Sequence, residues 1–125
     1  MRVPWTPLRL GSVAVLLALA AACERQAPSP WKEMSLPLRR AEILPGADAE
    51  QLKLVFRGES RREDLNREFR RGLERAGYQY ERDGKGHDES GGFFSTIFIK
   101  GRDRVRLNVW GGKDTNVQLS TSLED

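Results

Sequence analysis

The sequence predicts an α+β domain, a two-layer sandwich with one amphipathic helix packed on a mostly antiparallel sheet of about four to five strands, in the order β-α-β-β-β-β. Two observations predict it. A single helical apolar stripe runs through residues 60–76, and period-two alternation occupies most of the chain around it. One helix covers only one face of a sheet, so the second face is expected to be polar and open.

The first strand is Gln51 to Arg57, where Leu52, Leu54 and Phe56 alternate with Lys53, Val55 and Arg57 before Gly58. Before it, Leu36 to Ile43 is ambiguous and Leu44-Pro45-Gly46 is a turn. Ser60 with Glu63 three residues on has the form of a capping box. Leu65, Phe69, Leu73 and Ala76 then share one helical face, with Gly72 beside them, and Gly77 is a natural stop. The opposite face mixes Arg61, Arg62, Arg67, Arg70, Arg71 and Arg75 with Glu63, Asp64, Glu68 and Glu74. Such a face is ordinarily solvated, although its arginine surplus also suits docking to acidic lipid, peptidoglycan or protein.

Tyr78 to Tyr80 suggests a short strand, and residues 83–92 read as a flexible polar loop with four glycines. Phe93 to Lys100, Arg104 to Trp110 and Asn116 to Ser122 are three strands joined by short polar turns, an antiparallel meander. Val105, Leu107, Val109, Val117 and Leu119 are expected in the core. Arg104, Arg106, Asn108, Trp110, Gln118 and Ser120 are expected on the open face, and of these Arg104, Arg106, Trp110 and Gln118 form the candidate binding face. An aromatic ring beside guanidinium groups is a mixture that interfaces enrich. The same arginines suit carboxylate and phosphate groups of cell wall or lipid.

Chemistry is sparse elsewhere. One Cys and one His cannot supply a disulfide framework or a zinc ligand set. His87 lies beside Asp88 and Glu89 in the glycine loop, but three ligands on a loose loop carry a large ordering cost. Gly84, Lys85 and Gly86 lack the Gly-Lys-Ser/Thr sequence of a phosphate cradle. No catalytic residue, metal or cofactor is expected.

The N-terminus is more informative. Met1 to Arg9 holds two arginines and no acid, and Val13 to Ala22 is apolar and ends in small residues. This is the grammar of a secretory signal. Spanning a bilayer takes about 20 apolar residues, roughly twice this run. Cys23 follows Leu19-Ala20-Ala21-Ala22 directly, and here the chain resembles the bacterial lipoprotein signal, whose lipobox ends in the cysteine that becomes the mature N-terminus. The resemblance covers only the first 23 residues. It implies a diacylglyceryl group on Cys23, cleavage before it and, often, acylation of the new amine. Ala20 stands where Leu is commonest, so cleavage after Ala20 or Ala22, leaving Cys23 a free thiol, is the alternative.

The expected organisation is a cleaved signal at 1–22, a lipidated Cys23 with a proline-containing tether through residue 35, and a domain at 36–125. Within the tether, Trp31 either docks on the domain or anchors at headgroup level. Removing the signal takes away Arg2 and Arg9, so the formal charge falls from +3 to +1, with 19 basic against 18 acidic groups. That is a poor match to phosphate-driven nucleic-acid binding, and no nucleic-acid partner is expected. The expected protein is a non-catalytic adaptor or binding module of the bacterial envelope, held on the periplasmic side by its lipid. Glu24 is not the Asp that retains enteric lipoproteins in the inner membrane, which favours the outer membrane. The alternative is a secreted, non-lipidated periplasmic domain acting as an enzyme inhibitor or small hydrolase.

Overall fold

The structure, a computed structural model, describes residues 26–123. The expected signal peptide and Cys23 lie outside the described residues. Six strands make one antiparallel sheet: β1 (Glu42–Ile43), β2 (Gln51–Phe56), β3 (Gln79–Asp83), β4 (Phe94–Lys100), β5 (Asp103–Gly111) and β6 (Thr115–Ser120). Their spatial order is β1-β2-β6-β5-β4-β3. Helix α1 (Arg62–Arg75) joins β2 to β3. The α+β class and, among the described residues, the single α-helix agree with the sequence, while the strand count there is six rather than four or five. The additional strand, β1, pairs only Glu42 with Val55 and Ile43 with Leu54. Two residues are too short to show any alternation.

Alternation sorts the sheet into two faces because successive side chains point opposite ways. Leu52, Leu54 and Phe56 of β2, Val105, Leu107 and Val109 of β5, and Val117 and Leu119 of β6 are all buried in one apolar cluster. Leu65, Phe69 and Leu73 of α1 complete that cluster, with Phe94 and Phe98 of β4. Phe69 meets Phe56 edge-on, with ring centroids 6.1 Å apart at 81°. The five meander residues expected in the core are all there.

Both ends of α1 show how tertiary partners act on a local signal. At the C-terminus Gly77 takes φ +99, Gly77 N–H donates to Glu74 (2.9 Å) and Tyr78 N–H to Leu73 (3.0 Å). This is a Schellman closure, and the left-handed residue is the glycine that the sequence marks as a stop. At the N-terminus the expected capping box does not form. The cap residue is Arg61, with no side-chain cap bond. Arg61 N–H instead donates to Thr115 Oγ1 of β6 (3.1 Å), and that hydroxyl donates to the Glu59 carbonyl (2.5 Å). A hydroxyl from the far end of the chain thus fixes the helix entry at the Arg61 N–H, rather than capping the first-turn N–H groups as Ser60 was expected to do.

The segment assigned to the tether is the largest departure. Over its described residues, 26–35, it folds with the domain. Trp31, in a 3-10 turn at Trp31–Glu33, is wholly buried, and Ala27 is buried beside it in the main cluster. The indole N–H donates to the Asp48 carbonyl (2.7 Å). Asp48 Oδ1 in turn accepts from Glu50 N–H (2.8 Å) and Gln51 N–H (3.0 Å), which starts β2. Trp31 is therefore docked on the domain and unavailable as an interfacial anchor.

The chain then runs past α1 at Gly72. A β-carbon there would lie 2.4 Å from the Ser35 carbonyl oxygen and 3.1 Å from Leu36 Cδ2. Helix propensity favours Ala over Gly by about 1 kcal/mol, but forcing a methyl against fixed backbone costs about 1–3 kcal/mol. Gly72→Ala is expected to lower the urea midpoint. A rise would contradict the placement of residues 35–36 against the helix.

Candidate functional site

The candidate site is built from the sheet face that α1 leaves uncovered. On β5, Arg104, Arg106, Asn108 and Trp110 share one phase and are half-buried. The register sets Arg106 opposite Ser120, Asn108 opposite Gln118 and Trp110 opposite Asn116. Lys53 of β2 continues the Asn108–Gln118 row, and Ser95 of β4 flanks it on the other side. Arg104, Arg106, Trp110 and Gln118 thus do share this face. Val55 and Ile97 also belong to it yet are buried. Ile97 lies in the ladder between Arg82 and Arg106, whose aliphatic stems can cover it.

The arginines are used differently from the sequence expectation. Arg104 makes a two-pronged pair with Glu81, with Nε and Nη2 3.0–3.1 Å from the carboxylate oxygens. Glu81 sits at the irregularity between Tyr80 and Arg82, where β3 slips register against β4. The hydrogen bond from Arg104 is the main cause holding the Glu81 carboxyl below its ordinary range, and the same bond raises Arg104. Arg106 donates through Nη2 to the Leu123 carbonyl (2.5 Å). Neither group stands ready as an open fork for a phosphate or carboxylate.

What the face offers instead is an aromatic and amide surface. Trp110 lies against Phe93, with centroids 6.2 Å apart at 47°. The side chains of Lys53, Asn116 and Gln118 make no hydrogen bond or ion pair with the described residues, and Lys53 is exposed. Sequence reading omitted Lys53, Phe93 and Asn116 from the site. The phase of Lys53 in β2 was visible, but its adjacency to Gln118 depends on β2 pairing with β6 across the α1–β5 part of the chain.

On the helix side, a groove of about 490 Å³ separates α1 from the loop after β3. Glu63, Asn66, Arg67, Arg70, Glu89 and Phe94 line it. Arg70 lies over the rings of Tyr80 (5.6 Å) and Phe98 (5.9 Å). His87 stands near this groove, its ring edge-on to Phe94. Its Nδ1 accepts the Ser95 backbone N–H (3.0 Å), leaving Nε2 to face Glu89 (3.6 Å) and Asp83 (3.9 Å). No hydroxyl or thiol among the described residues hydrogen-bonds to this imidazole. Nor do three His, Cys, Asp or Glu side chains gather there in a way that could hold a metal ion.

The glycine loop itself is an ordered hairpin rather than a loose one. Asp88 and Phe93 exchange two backbone hydrogen bonds (2.8 and 2.9 Å), and Asp88 Oδ1 accepts from Ser90 Oγ (2.8 Å) and Gly91 N–H (3.0 Å). The Ser90 hydroxyl, then the Gly91 N–H, holds the Asp88 carboxyl below its ordinary range. A depressed carboxyl pKa stabilises above the unfolded value and is lost as pH falls through the folded one. The Gly91 amide is therefore expected to lose hydrogen-exchange protection on acidification before Leu107 in β5 does. Simultaneous loss at both sites would contradict this local role.

No protein-family model matches the chain, and neither does any curated protein or solved structure.

Proposed function

We propose that the protein is a lipid-anchored bacterial envelope protein whose domain is a non-catalytic binding module. Delivery rests on the signal grammar of residues 1–22 and on Cys23, and outer-membrane placement on Glu24. The packing of α1 on one face makes the domain a two-layer sandwich that presents the other face outward. The observation that carries the binding reading is on that face: half-buried Trp110 with Phe93, beside Lys53, Asn116 and Gln118, whose polar groups have no partner among the described residues. The aromatic pair and the amide groups suit a protein partner, since interface centres enrich Trp, Phe and Arg. The internal engagement of Arg104 argues against capture of free anionic groups as the main role.

The test is retention of envelope membrane proteins on the immobilised, acylated protein, with Trp110→Ala and Gln118→Ala combined as the control. Folding of the variant is checked by its urea midpoint. Specific retention that the variant abolishes supports the reading. Equal retention by both, or none by either, overturns the face as a binding site.

A further inference from the structure

The docking of Trp31 shortens the connection between anchor and domain to almost nothing. Three residues, Glu24, Arg25 and Gln26, separate Cys23 from buried Ala27. Four fully extended steps span at most about 14 Å. Resting on the lipid anchor proposed above, we infer that the turn at residues 43–47, on the β1 edge of the sheet, is the surface that lies against phospholipid headgroups.

Gln26, the first described residue, lines a groove of about 500 Å³ with Pro28, Ile43, Leu44, Pro45 and Ala47. From Ile43 to Ala47 there is no charged side chain, Pro45 and Gly46 are exposed, and Leu44 is half-buried. The acids on either side are already committed. Glu42 pairs with Arg57 (3.2 Å), and Asp48 Oδ1 accepts two backbone amides. The turn itself is uncharged, and of the acids around it Glu42 is paired with Arg57 while Asp48 and Glu50 follow it in the chain.

β1 and β3 are opposite edges of the sheet, five inter-strand spacings or about 24 Å apart, so a residue just past β3 is remote from the turn that meets the headgroups.

The test uses the full acylated protein in phosphatidylethanolamine–phosphatidylglycerol vesicles that carry a headgroup spin-labelled lipid. With Cys23 acylated, a fluorophore is placed at Pro45→Cys in the turn or at Lys85→Cys just past β3. Ala49→Cys serves as a second reporter where Pro45→Cys disturbs the turn. The turn labels are expected to lose most of their emission to the lipid quencher while the Lys85 label keeps most of its own. Equal quenching, or the reverse, on protein of confirmed acyl mass overturns the orientation and leaves the anchor standing. A chain without acyl mass overturns both.

Discussion

Replacing Trp31 by alanine is expected to lower the stability of the domain by about 3–5 kcal/mol. The whole indole is buried, so the substitution loses its transfer free energy and leaves a cavity. It also leaves the Asp48 carbonyl without the N–H that it accepts at 2.7 Å. Domains of this size are stable by only about 5–15 kcal/mol, so a loss on this scale is a large share of the total. Trp31→Phe keeps the larger part of the ring volume, loses the hydrogen bond and leaves a smaller cavity, and should fall between wild type and alanine. A urea midpoint for Trp31→Ala within error of wild type would show residues 26–35 to be a tether after all.

Phe69→Ala is expected to cost a similar amount, about 3–5 kcal/mol, for a different reason. Phe69 is the central residue of the apolar stripe on α1, is fully buried, and meets Phe56 of β2 across the layer boundary. Its removal cuts into the contact between helix and sheet, whereas loss of Trp31 frees the N-terminal segment. The urea midpoint should drop with little change in m, as for a native-state packing loss. Arg67→Ala, on the same helix, is the contrast. Its ion pair with Asp64 (3.1 Å) is more than half exposed on both sides, and the change is expected to stay within about 0.5 kcal/mol. Comparable losses at residues 67 and 69 would contradict the assigned buried face.

These two aromatic residues mark the boundary of what was legible beforehand. Phe69 announces itself because Leu65, Phe69 and Leu73 repeat at helical spacing, and Val105, Leu107 and Val109 do the same at strand spacing. Trp31 has no such neighbours. It sits in a proline-rich stretch without period, and its burial depends on the Asp48 turn, distant in sequence. The helix N-terminus shows the same effect, since the entry is held by Thr115 at the Arg61 N–H and not by the local Ser60–Glu63 pattern. The glycine loop read as loose because composition does not show that Asp88 closes it.

The candidate face was legible in phase but not in commitment. Alternation places Arg104, Arg106, Trp110 and Gln118 on one side of the sheet. Whether a guanidinium is available depends on partners from other strands, and Glu81 reaches Arg104 through a register shift that no alternation pattern reveals. Lys53 and Asn116 join the face only once the order β2-β6-β5 is known.

The most direct test of the account is the intact mass of the protein recovered from a membrane fraction, beside a Cys23→Ser control. The account predicts a mature chain beginning at Cys23 with added acyl mass, and loss of both the mass and the membrane association in the control. A soluble, unmodified chain cleaved after Ala20 or Ala22 would contradict it.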